Sequence, residues 1–300
     1  MDAKTVTDFR RRVFTLATPT GPGDIAAIEL GDPARPIDVI FVHANGFNAL
    51  TYRSVLAPLA DRLHILAIDQ QGHGRSPQRV PSESRSSWTL FRDDLVALLD
   101  QLEGGPLLLA GHSMGGTASV MAAAERPGRV KGLALFDPVI MPRDLAQRIA
   151  AGDAPALSLS PLAVGAAKRR AIYASRQEAF DRYKGRGAFT TWSDEALRDY
   201  LEDGFRDRPD DEVELTCAPD WEAANFSSHA HDPWGPLHAI RAPVRILRAE
   251  QGSTCSADSA EPFVADNPRF IVETIPGTTH FLPIERPDLV RETILAMASA

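Results

Sequence analysis

The feature that most constrains the fold is the pentapeptide G-H-S-M-G at residues 111–115. A short apolar run precedes it at residues 106–110, and an alanine-rich segment without a helix breaker follows it at residues 117–124. This order indicates a strand, a sharp turn and a helix, which is the context that gives a G-x-S-x-G pattern chemical meaning. The pattern predicts that Ser113 is a nucleophile at the end of a sheet. In the alternative interpretation, Ser113 only caps the helix.

Apolar runs alternate with helical patterns over much of the chain. Continuous apolar runs predict strands at residues 38–42, 63–68, 130–136, 244–249 and 270–275. Helical spacing of apolar residues predicts helices at residues 52–63, 90–102, 258–265 and 287–297. Uninterrupted apolar strands are typically buried on both faces, and their alternation with helices favours a parallel sheet. Two further runs, at residues 13–17 and 25–30, predict a pair of antiparallel edge strands. We therefore expect an α/β fold with a mostly parallel central sheet flanked by helices.

The alternation stops after Asp137 and resumes about a hundred residues later. We expect one core, made of residues 1–138 and 237–300, that carries an inserted helical cap at residues 139–236. The insertion holds three of the four tryptophans and three of the four tyrosines. Because it leaves and rejoins the core at strand ends, it is predicted to lie as a lid over the carboxyl edge of the sheet, where ligands bind. A helical layer packed elsewhere is the alternative.

Charge and composition exclude several classes of partner. The formal net charge of -8 gives no reason to expect nucleic acid or an anionic membrane. No apolar run approaches the roughly 18 to 20 residues that span a bilayer, and the basic residues 10–12 are not followed by the apolar core of a signal peptide. Cys217 and Cys255 match no metal-site spacing and favour a reducing compartment. We expect a cytoplasmic protein.

A serine nucleophile requires a base, normally histidine, that is held by a carboxylate. His280 lies just after the last predicted strand and before the last helix, which fits the order serine, acid, histidine. His43 and Asp69 end strands and are expected to fix loops, while His112 is expected to face away from the reaction. His229 and His231 could suggest a metal pair, but no third ligand has suitable spacing. We therefore expect no metal and no cofactor.

Four motifs in order carry a resemblance to a known family. They are His43 to Asn48, Asp69 with Gly72 to Ser76, Gly111 to Gly116, and Gly277 to His280 followed by Glu285-Arg286-Pro287. With these motifs the chain resembles an α/β-hydrolase fold serine hydrolase of the capped, carboxylesterase-like kind, over nearly its whole length. The resemblance implies the α/β-hydrolase fold and an acyl-enzyme formed on Ser113.

The resemblance leaves the carboxylate open. In most members of the superfamily an Asp follows the penultimate strand, and here that position falls on Gly252, which cannot orient an imidazole. Some members, including certain lipases and dehalogenases, carry the acid after the strand that follows the nucleophile helix, and Asp137 fits that place. We predict Asp137 as the acid, with Glu250 and Asp258 as alternatives. Asp137 could otherwise be a turn residue before Pro138.

Acyl transfer also needs hydrogen-bond donors for the developing oxyanion. One predicted donor is the backbone N–H of Met114, the residue after the nucleophile. By resemblance to the family's loop after the first parallel strand, the other is predicted to be the backbone N–H of Phe47. The spacing leaves Asn45 and Gly46 as alternatives.

The expected reaction is hydrolysis of a carboxylic ester of a small, largely apolar substrate, because the predicted lid is rich in aromatic residues. The same triad could serve a carbon-carbon bond, lactone or amide hydrolase. The absence of an acid at Gly252 would favour a non-catalytic ligand-binding protein on this fold. An epoxide hydrolase or dehalogenase is expected to have Asp in place of Ser113, so neither is favoured.

Overall fold

A central sheet and its flanking helices dominate the computed structural model of the chain, which describes residues 9–84, 86–153, 160–257 and 262–299. The strands are β1 (Arg10–Thr18), β2 (Gly21–Leu30), β3 (Val39–Val42), β4 (Ile65–Ile68), β5 (Leu107–His112), β6 (Val130–Phe136), β7 (Ile172–Tyr173), β8 (Phe205–Asp207), β9 (Val213–Leu215), β10 (Val244–Gln251) and β11 (Phe270–Thr279). The helices are α1 (Arg53–Leu56), α2 (Thr89–Gln101), α3 (Met114–Glu125), α4 (Arg143–Ala150), α5 (Pro161–Ala167), α6 (Arg176–Tyr183), α7 (Asp194–Gly204), α8 (Pro219–Ser227), α9 (Trp234–Ala239), α10 (Pro262–Ala265), α11 (Leu282–Glu285) and α12 (Pro287–Ala298).

The main sheet has eight strands in the order β1-β2-β4-β3-β5-β6-β10-β11. β2 pairs antiparallel with both of its neighbours, β1 and β4. The remaining neighbours in the sheet, in the order β4-β3-β5-β6-β10-β11, all pair parallel. The predicted α/β class with a mostly parallel sheet is confirmed. Parallel strands all end at one edge, so the loops that leave β3, β5, β6, β10 and β11 share that edge.

The sheet is covered on both faces, as its continuous apolar strands predict. In β3, Phe41 lies in one core cluster with Val55 of α1 and Ile294 of α12. The next strand position, Ile40, faces the other cluster, which contains Leu98 of α2 and Val120 of α3. The two faces therefore differ in their helices but are both apolar. Within the described ranges, no helix combines the length and hydropathy needed to cross a bilayer.

One predicted helix differs from the structure, and another lies partly outside the described residues. The helix expected at residues 52–63 is divided into α1 and two short 3-10 turns, Ala49–Tyr52 and Ala57–Leu59. Pro58 explains the break, because proline has no N–H to continue the α-helical hydrogen bonding. Of the helix expected at residues 258–265, α10 is the part that lies within the described residues.

The segment between β6 and α9 contains α4 to α8 and a small antiparallel sheet in the order β7-β9-β8. The sequence predicts helices here and not this sheet, because strands of two or three residues are too short to show a periodicity. Helix α9 crosses the predicted boundary between residues 236 and 237, and its Leu237 lies in the core cluster of α3. The predicted boundary thus falls inside a helix.

Helix α7 is attached to α1 and β1 through buried carboxylates. Arg53 of α1 pairs with Asp199 at 2.5 Å, and Arg11 of β1 pairs with Asp203 at 2.7 Å. The Asn48 side chain donates to the Tyr200 carbonyl oxygen at 2.9 Å. These contacts hold α7 next to the loop that follows β3.

Candidate active site

Ser113 occupies a strained turn between β5 and α3. Its backbone angles, φ 54° and ψ -122°, lie in a region that non-glycine residues rarely adopt. A Cβ atom on Gly115 would come within 2.3 Å of the Val42 carbonyl oxygen, and one on Gly111 within 2.7 Å of the Gly115 backbone. Both glycines are therefore required by close packing, as the G-x-S-x-G pattern predicts. The turn leaves the Ser113 side chain at the carboxyl end of the sheet.

His280 follows β11 and lies between Ser113 and Asp137. Its Nε2 atom is 2.9 Å from Ser113 Oγ, and its Nδ1 atom is 2.6 Å from Asp137 Oδ2. These distances fit a neutral imidazole whose Nδ1–H donates to the carboxylate, while Nε2 accepts the Ser113 hydroxyl proton. The structure thus brings together three residues that are predicted from separate parts of the sequence.

Asp137 ends β6 with φ 43°, a left-handed conformation that Asp tolerates better than most residues. Its side chain is fully buried and accepts hydrogen bonds from Ala249 N–H at 3.0 Å, Ser253 Oγ at 2.5 Å and Thr254 N–H at 3.1 Å. Burial raises the pKa of Asp137, but hydrogen bonds from His280 and Ser253 outweigh it and lower the pKa below its usual 3.8. Asp137 is therefore ionised at neutral pH.

The lowered pKa of Asp137 predicts a pH-dependent contribution to stability. A carboxyl group whose pKa is lower in the folded state stabilises the fold above its unfolded pKa, and this contribution is lost as the pH falls through the folded pKa. We expect the free energy of unfolding to fall more steeply below about pH 4 in the wild type than in Asp137→Asn. Urea unfolding of both proteins at several pH values measures the difference. Parallel curves between about pH 6 and pH 2 would contradict the assignment.

Of the other acid candidates, Glu250 lies among the described residues and binds a backbone N–H group. Glu250 accepts the Gly277 N–H at 2.9 Å through its carboxylate. Gly252 has φ 64°, and a Cβ atom there would meet no other atom within 4 Å. Asp258 lies outside the described residues. Among the residues that the structure describes, Asp137 is thus the carboxylate that binds the imidazole.

The loop after β3 supplies the candidate donors for an oxyanion. Met114 is the first residue of α3, where backbone N–H groups lack an acceptor within the helix. The Phe47 N–H donates to the Ala44 carbonyl oxygen at 3.2 Å, so the donor that the sequence favoured already closes a turn. The Asn45 N–H has no hydrogen-bond partner among the described residues, and its side chain amide is fixed by Asn225. The geometry therefore favours the Asn45 alternative over Phe47.

His112 holds the backbone of the loop that carries His280. Its Nε2–H donates to the His280 carbonyl oxygen at 2.7 Å, and its Nδ1 accepts the Tyr52 hydroxyl at 2.7 Å. Burial, and then the nearby His280, lower the pKa of His112 to about 3, so the ring is neutral. Both ring nitrogens of His112 are thus engaged by groups other than Ser113. Tyr52 carries no sequence signal of this role, because its partner lies 60 residues further along the chain.

His43 and Asp69 fix loops beside the site. His43 Nε2 accepts the Gln70 N–H at 2.9 Å, and burial lowers the pKa of this imidazole to about 4. The Asp69 carboxylate accepts the N–H groups of Ala49 at 2.7 Å and Arg75 at 2.9 Å. Each side chain is satisfied by backbone groups, so both position the chain as expected from the sequence.

His229 and His231 pack against Trp88. The ring centroid of each histidine lies 4.8 Å from that of Trp88, and His229 Nε2 is 3.1 Å from the Phe226 carbonyl oxygen. Burial lowers the pKa of His229 to about 4. In the described parts of the chain, no three His, Cys, Asp or Glu side chains form a group that could hold a metal ion.

Aromatic side chains form a cluster next to His280, whose ring centroid lies 5.9 Å from that of Phe281. The Phe47 ring lies 5.1 Å from Trp192, 5.8 Å from Tyr200 and 6.1 Å from Phe281, between ring centroids. Trp192 and Tyr200 lie between β6 and β10 in the chain, whereas Phe47 follows β3 and Phe281 follows β11. The aromatic cluster therefore joins these parts of the chain beside the Ser113 and His280 side chains.

Two residues that contact the carboxylate, Ser253 and Thr254, are not predicted from the sequence. Both lie directly after Gly252, in the loop that follows β10. A signal was present, because two hydroxyl residues follow the position from which an acid is missing. Their target could not be read from the sequence, since Asp137 precedes Ser253 by 116 residues.

Comparison with known proteins agrees with the fold. The model of the alpha/beta hydrolase family matches residues 39–293. A 2-(acetamidomethylene)succinate hydrolase from Mesorhizobium japonicum is 25% identical over 259 residues, which are 85% of this chain and 86% of that protein. A monoglyceride lipase from Homo sapiens is 34% identical over 113 residues, only 35% of this chain and 36% of the lipase.

Solved structures show the same architecture. The crystal structure of E-2-(acetamidomethylene)succinate hydrolase superposes with a TM-score of 0.73 at 22% identity, covering 98% of this chain and all of that one. At this identity the superposition establishes the fold alone. The family match extends over most of the residues and includes the turn at Ser113 and the loop at His280. The chain belongs to the alpha/beta hydrolase family.

Proposed function

We propose that this hydrolase-family protein cleaves a carboxylic ester of a small, largely apolar substrate through an acyl-enzyme on Ser113. One observation carries the proposal. His280 lies 2.9 Å from Ser113 Oγ through one ring nitrogen and 2.6 Å from Asp137 through the other. This is the arrangement that a serine needs to act as a nucleophile at neutral pH.

In the proposed mechanism, His280 Nε2 takes the hydroxyl proton as Ser113 Oγ attacks the ester carbonyl carbon. The tetrahedral intermediate collapses when the same nitrogen returns the proton to the leaving alcohol, and Ser113 keeps the acyl group. A water molecule then loses a proton to His280 and attacks the acyl carbon. His280 returns that proton to Ser113 Oγ as the bond to the acyl group breaks, which releases the carboxylic acid and restores the free serine. Asp137 holds the tautomer with Nδ1 protonated throughout and stabilises the imidazolium ion that forms twice in each cycle.

The proposed oxyanion hole consists of the backbone N–H groups of Met114 and Asn45. Removal of one such donor in a hydrolase typically lowers kcat by about 10²- to 10³-fold. The Asn45 side chain is anchored by Asn225 at 2.9 Å and by the Glu222 carbonyl oxygen at 3.1 Å, both on α8. The inserted segment thus supports the loop that carries one donor.

We further propose that residues 139–236 form the cap of the substrate site, with the aromatic cluster as its inner wall. Trp192 and Tyr200 reach the core residue Phe47 from this segment. Aromatic walls bind apolar acyl or alcohol groups through buried area. A series of aryl esters of increasing acyl length tests the proposal, because the released phenol gives a direct rate. We expect the rate to have a sharp optimum at one acyl length, with a pre-steady-state burst of phenol. If none of the esters is hydrolysed, the result counts against ester chemistry.

Trp192→Ala should change the acyl preference more than the chemistry. Loss of the indole opens the cluster beside Phe47, so we expect the optimum to move to longer acyl chains. For the original best ester, kcat/KM should fall by about 10-fold or more, because one well-packed apolar contact of this kind is lost. Phe180→Ala in α6 is the matched control, since its ring packs under Arg198. An unchanged optimum in Trp192→Ala would exclude Trp192 from the acyl site.

Amide hydrolysis is a second candidate, favoured by one comparison. The relative from Mesorhizobium japonicum that aligns over most of both chains is named for a substrate with an acetamido group. The same serine, histidine and aspartate could cleave an amide, provided that His280 protonates the leaving nitrogen. Parallel assays on matched aryl esters and N-acetyl enamides separate the two. A higher kcat/KM for the enamides would replace the ester proposal by the amide one.

A further inference from the structure

The carboxylate of Asp137 is held by residues that follow β10 within three positions of its end. β10 ends at Gln251, and Gly252 follows it. Gly252 has no side chain at the position where most members of the superfamily carry the acid. The next two residues, Ser253 and Thr254, direct hydroxyl groups to Asp137. The loop after β10 therefore supplies donors to an acid that lies at the end of the neighbouring strand β6.

Ser253 controls one carboxylate oxygen. Its Oγ atom lies 2.5 Å from Asp137 Oδ1 and accepts the Cys255 N–H at 3.1 Å. A serine hydroxyl has a single proton. Because Cys255 donates to the oxygen, that proton is directed to Oδ1, which also accepts the Ala249 N–H at 3.0 Å. With Oδ1 engaged by two donors, Oδ2 faces His280.

Thr254 contacts the backbone at Asp137 and Pro138. Its hydroxyl oxygen lies 3.1 Å from the Asp137 carbonyl oxygen and 3.3 Å from the Pro138 carbonyl oxygen, and its N–H donates to Oδ2 at 3.1 Å. The same hydroxyl is farther from Oδ2, at 3.4 Å, and from His280 Nδ1, at 3.5 Å. Thr254 thus fixes the left-handed turn at Asp137, and the Ser253 hydroxyl is the side-chain group that sets the carboxylate rotation.

We propose that Ser253 is a positioning residue, which orients the Asp137 carboxylate so that Oδ2 is presented to His280 Nδ1. The inference rests on the proposed function, because it requires Asp137 to act through His280. Without the Ser253 hydroxyl, Oδ1 keeps one donor, the carboxylate rotates more freely, and its negative charge is less stabilised. The pair of Asp137 and His280 then binds its proton more tightly. In such a variant kcat falls, and the acid limb of the pH profile of kcat/KM moves to higher pH.

Ser253→Ala, compared with Ser119→Ala, tests this role. Ser119 is also buried and loses the same hydroxyl, but it donates to the Gly115 carbonyl oxygen within α3. For Ser253→Ala we expect kcat to fall about 10- to 100-fold, the range for loss of one hydrogen bond to a charged group. KM should stay within about twofold, and the acid limb of kcat/KM should rise by up to about one pH unit. Ser119→Ala should behave as wild type.

Two further variants separate positioning from folding. Ser253→Thr keeps the hydroxyl and should restore both kcat and the acid limb, whereas Ser253→Cys, a weaker donor, should fall between wild type and Ser253→Ala. The same pair carries the comparison if Ser253→Ala does not fold. The inference is overturned if the variants match Ser119→Ala, or if kcat falls without movement of the acid limb and without rescue by threonine.

A spectroscopic readout keeps this inference distinguishable from the proposed function. The strongly deshielded proton NMR signal of the His280 Nδ1–H reports its hydrogen bond to Asp137 and needs no substrate. We expect the signal to move in Ser253→Ala and to stay unchanged in Ser119→Ala. Movement of the signal in an enzyme that hydrolyses no ester would refute the ester proposal alone, whereas an unmoved signal would refute the role of Ser253.

Discussion

Ser113→Ala is expected to lower kcat for the best aryl ester by about 10⁶-fold while the protein stays folded. The acyl-enzyme cannot form without the Ser113 hydroxyl, so the remaining rate can come only from binding and from oxyanion donors. Alanine fits the strained turn no worse than serine, because both have a Cβ atom at the same φ of 54°. Stopped-flow measurement of released phenol gives both the burst and the steady-state rate. The burst should disappear.

His280→Ala provides the internal check on the Ser113 result. Residues that act as one unit lose activity together, so the double variant Ser113→Ala/His280→Ala should be no slower than Ser113→Ala alone. Ser119→Ala, on the same helix, controls for loss of a buried hydroxyl. A double variant in which the two effects multiply would contradict a shared catalytic role for Ser113 and His280.

Asp137→Asn should lower kcat by about 10⁴-fold with a smaller effect on KM. The amide of asparagine presents N–H groups to His280 Nδ1, which favours the tautomer with the proton on Nε2. That tautomer cannot accept the Ser113 proton, even though the side chains keep their positions. Asparagine also tolerates the left-handed φ of 43°, so the fold should survive. Steady-state kinetics and the circular dichroism spectrum test the two parts separately.

Glu250→Gln is the matched control for Asp137→Asn. It likewise removes one negative charge, here near the end of β10, but the Glu250 carboxylate binds the Gly277 N–H and not His280. We expect kcat within about threefold of wild type. If Glu250→Gln were the more damaging change, the acid of the triad would be Glu250 and not Asp137.

The core of the fold is readable from the sequence because its strands are unbroken apolar runs. Residues 130–136 are predicted as a strand and form β6 without a shift at either end. The glycines around Ser113 likewise identify a turn that no other residue type would fit. Where pattern and packing agree, local sequence is enough to specify an element.

The inserted segment is less predictable because its structure depends on contacts across the chain. β7 has two residues, and it exists only as a partner of β9 about forty residues later. The roles of residues in the candidate site also depend on contacts across the chain. The sequence could suggest Asp137 as the acid only through a resemblance, while its donors Ser253 and Thr254 become visible when β6 and β10 are placed side by side.

Sequence spacing alone does not determine which backbone N–H group of the loop after β3 is available to an oxyanion, and Phe47 illustrates this. Gly46 adopts φ 76° and turns the chain, so the Phe47 N–H points back to the Ala44 carbonyl oxygen. A shift of two residues along the loop, to Asn45, exchanges a used donor for one without a partner among the described residues. Such a difference is set by backbone dihedral angles that the residue types alone do not fix.

Covalent labelling by a fluorophosphonate tests the central claim most directly, because it requires an activated serine and no knowledge of the substrate. Purified wild-type protein should gain one label, which peptide mass spectrometry should locate on Ser113. Labelling should be absent in Ser113→Ala and strongly slowed in His280→Ala and Asp137→Asn. Folded wild-type protein that takes up no label, or takes it up on another residue, would contradict the account.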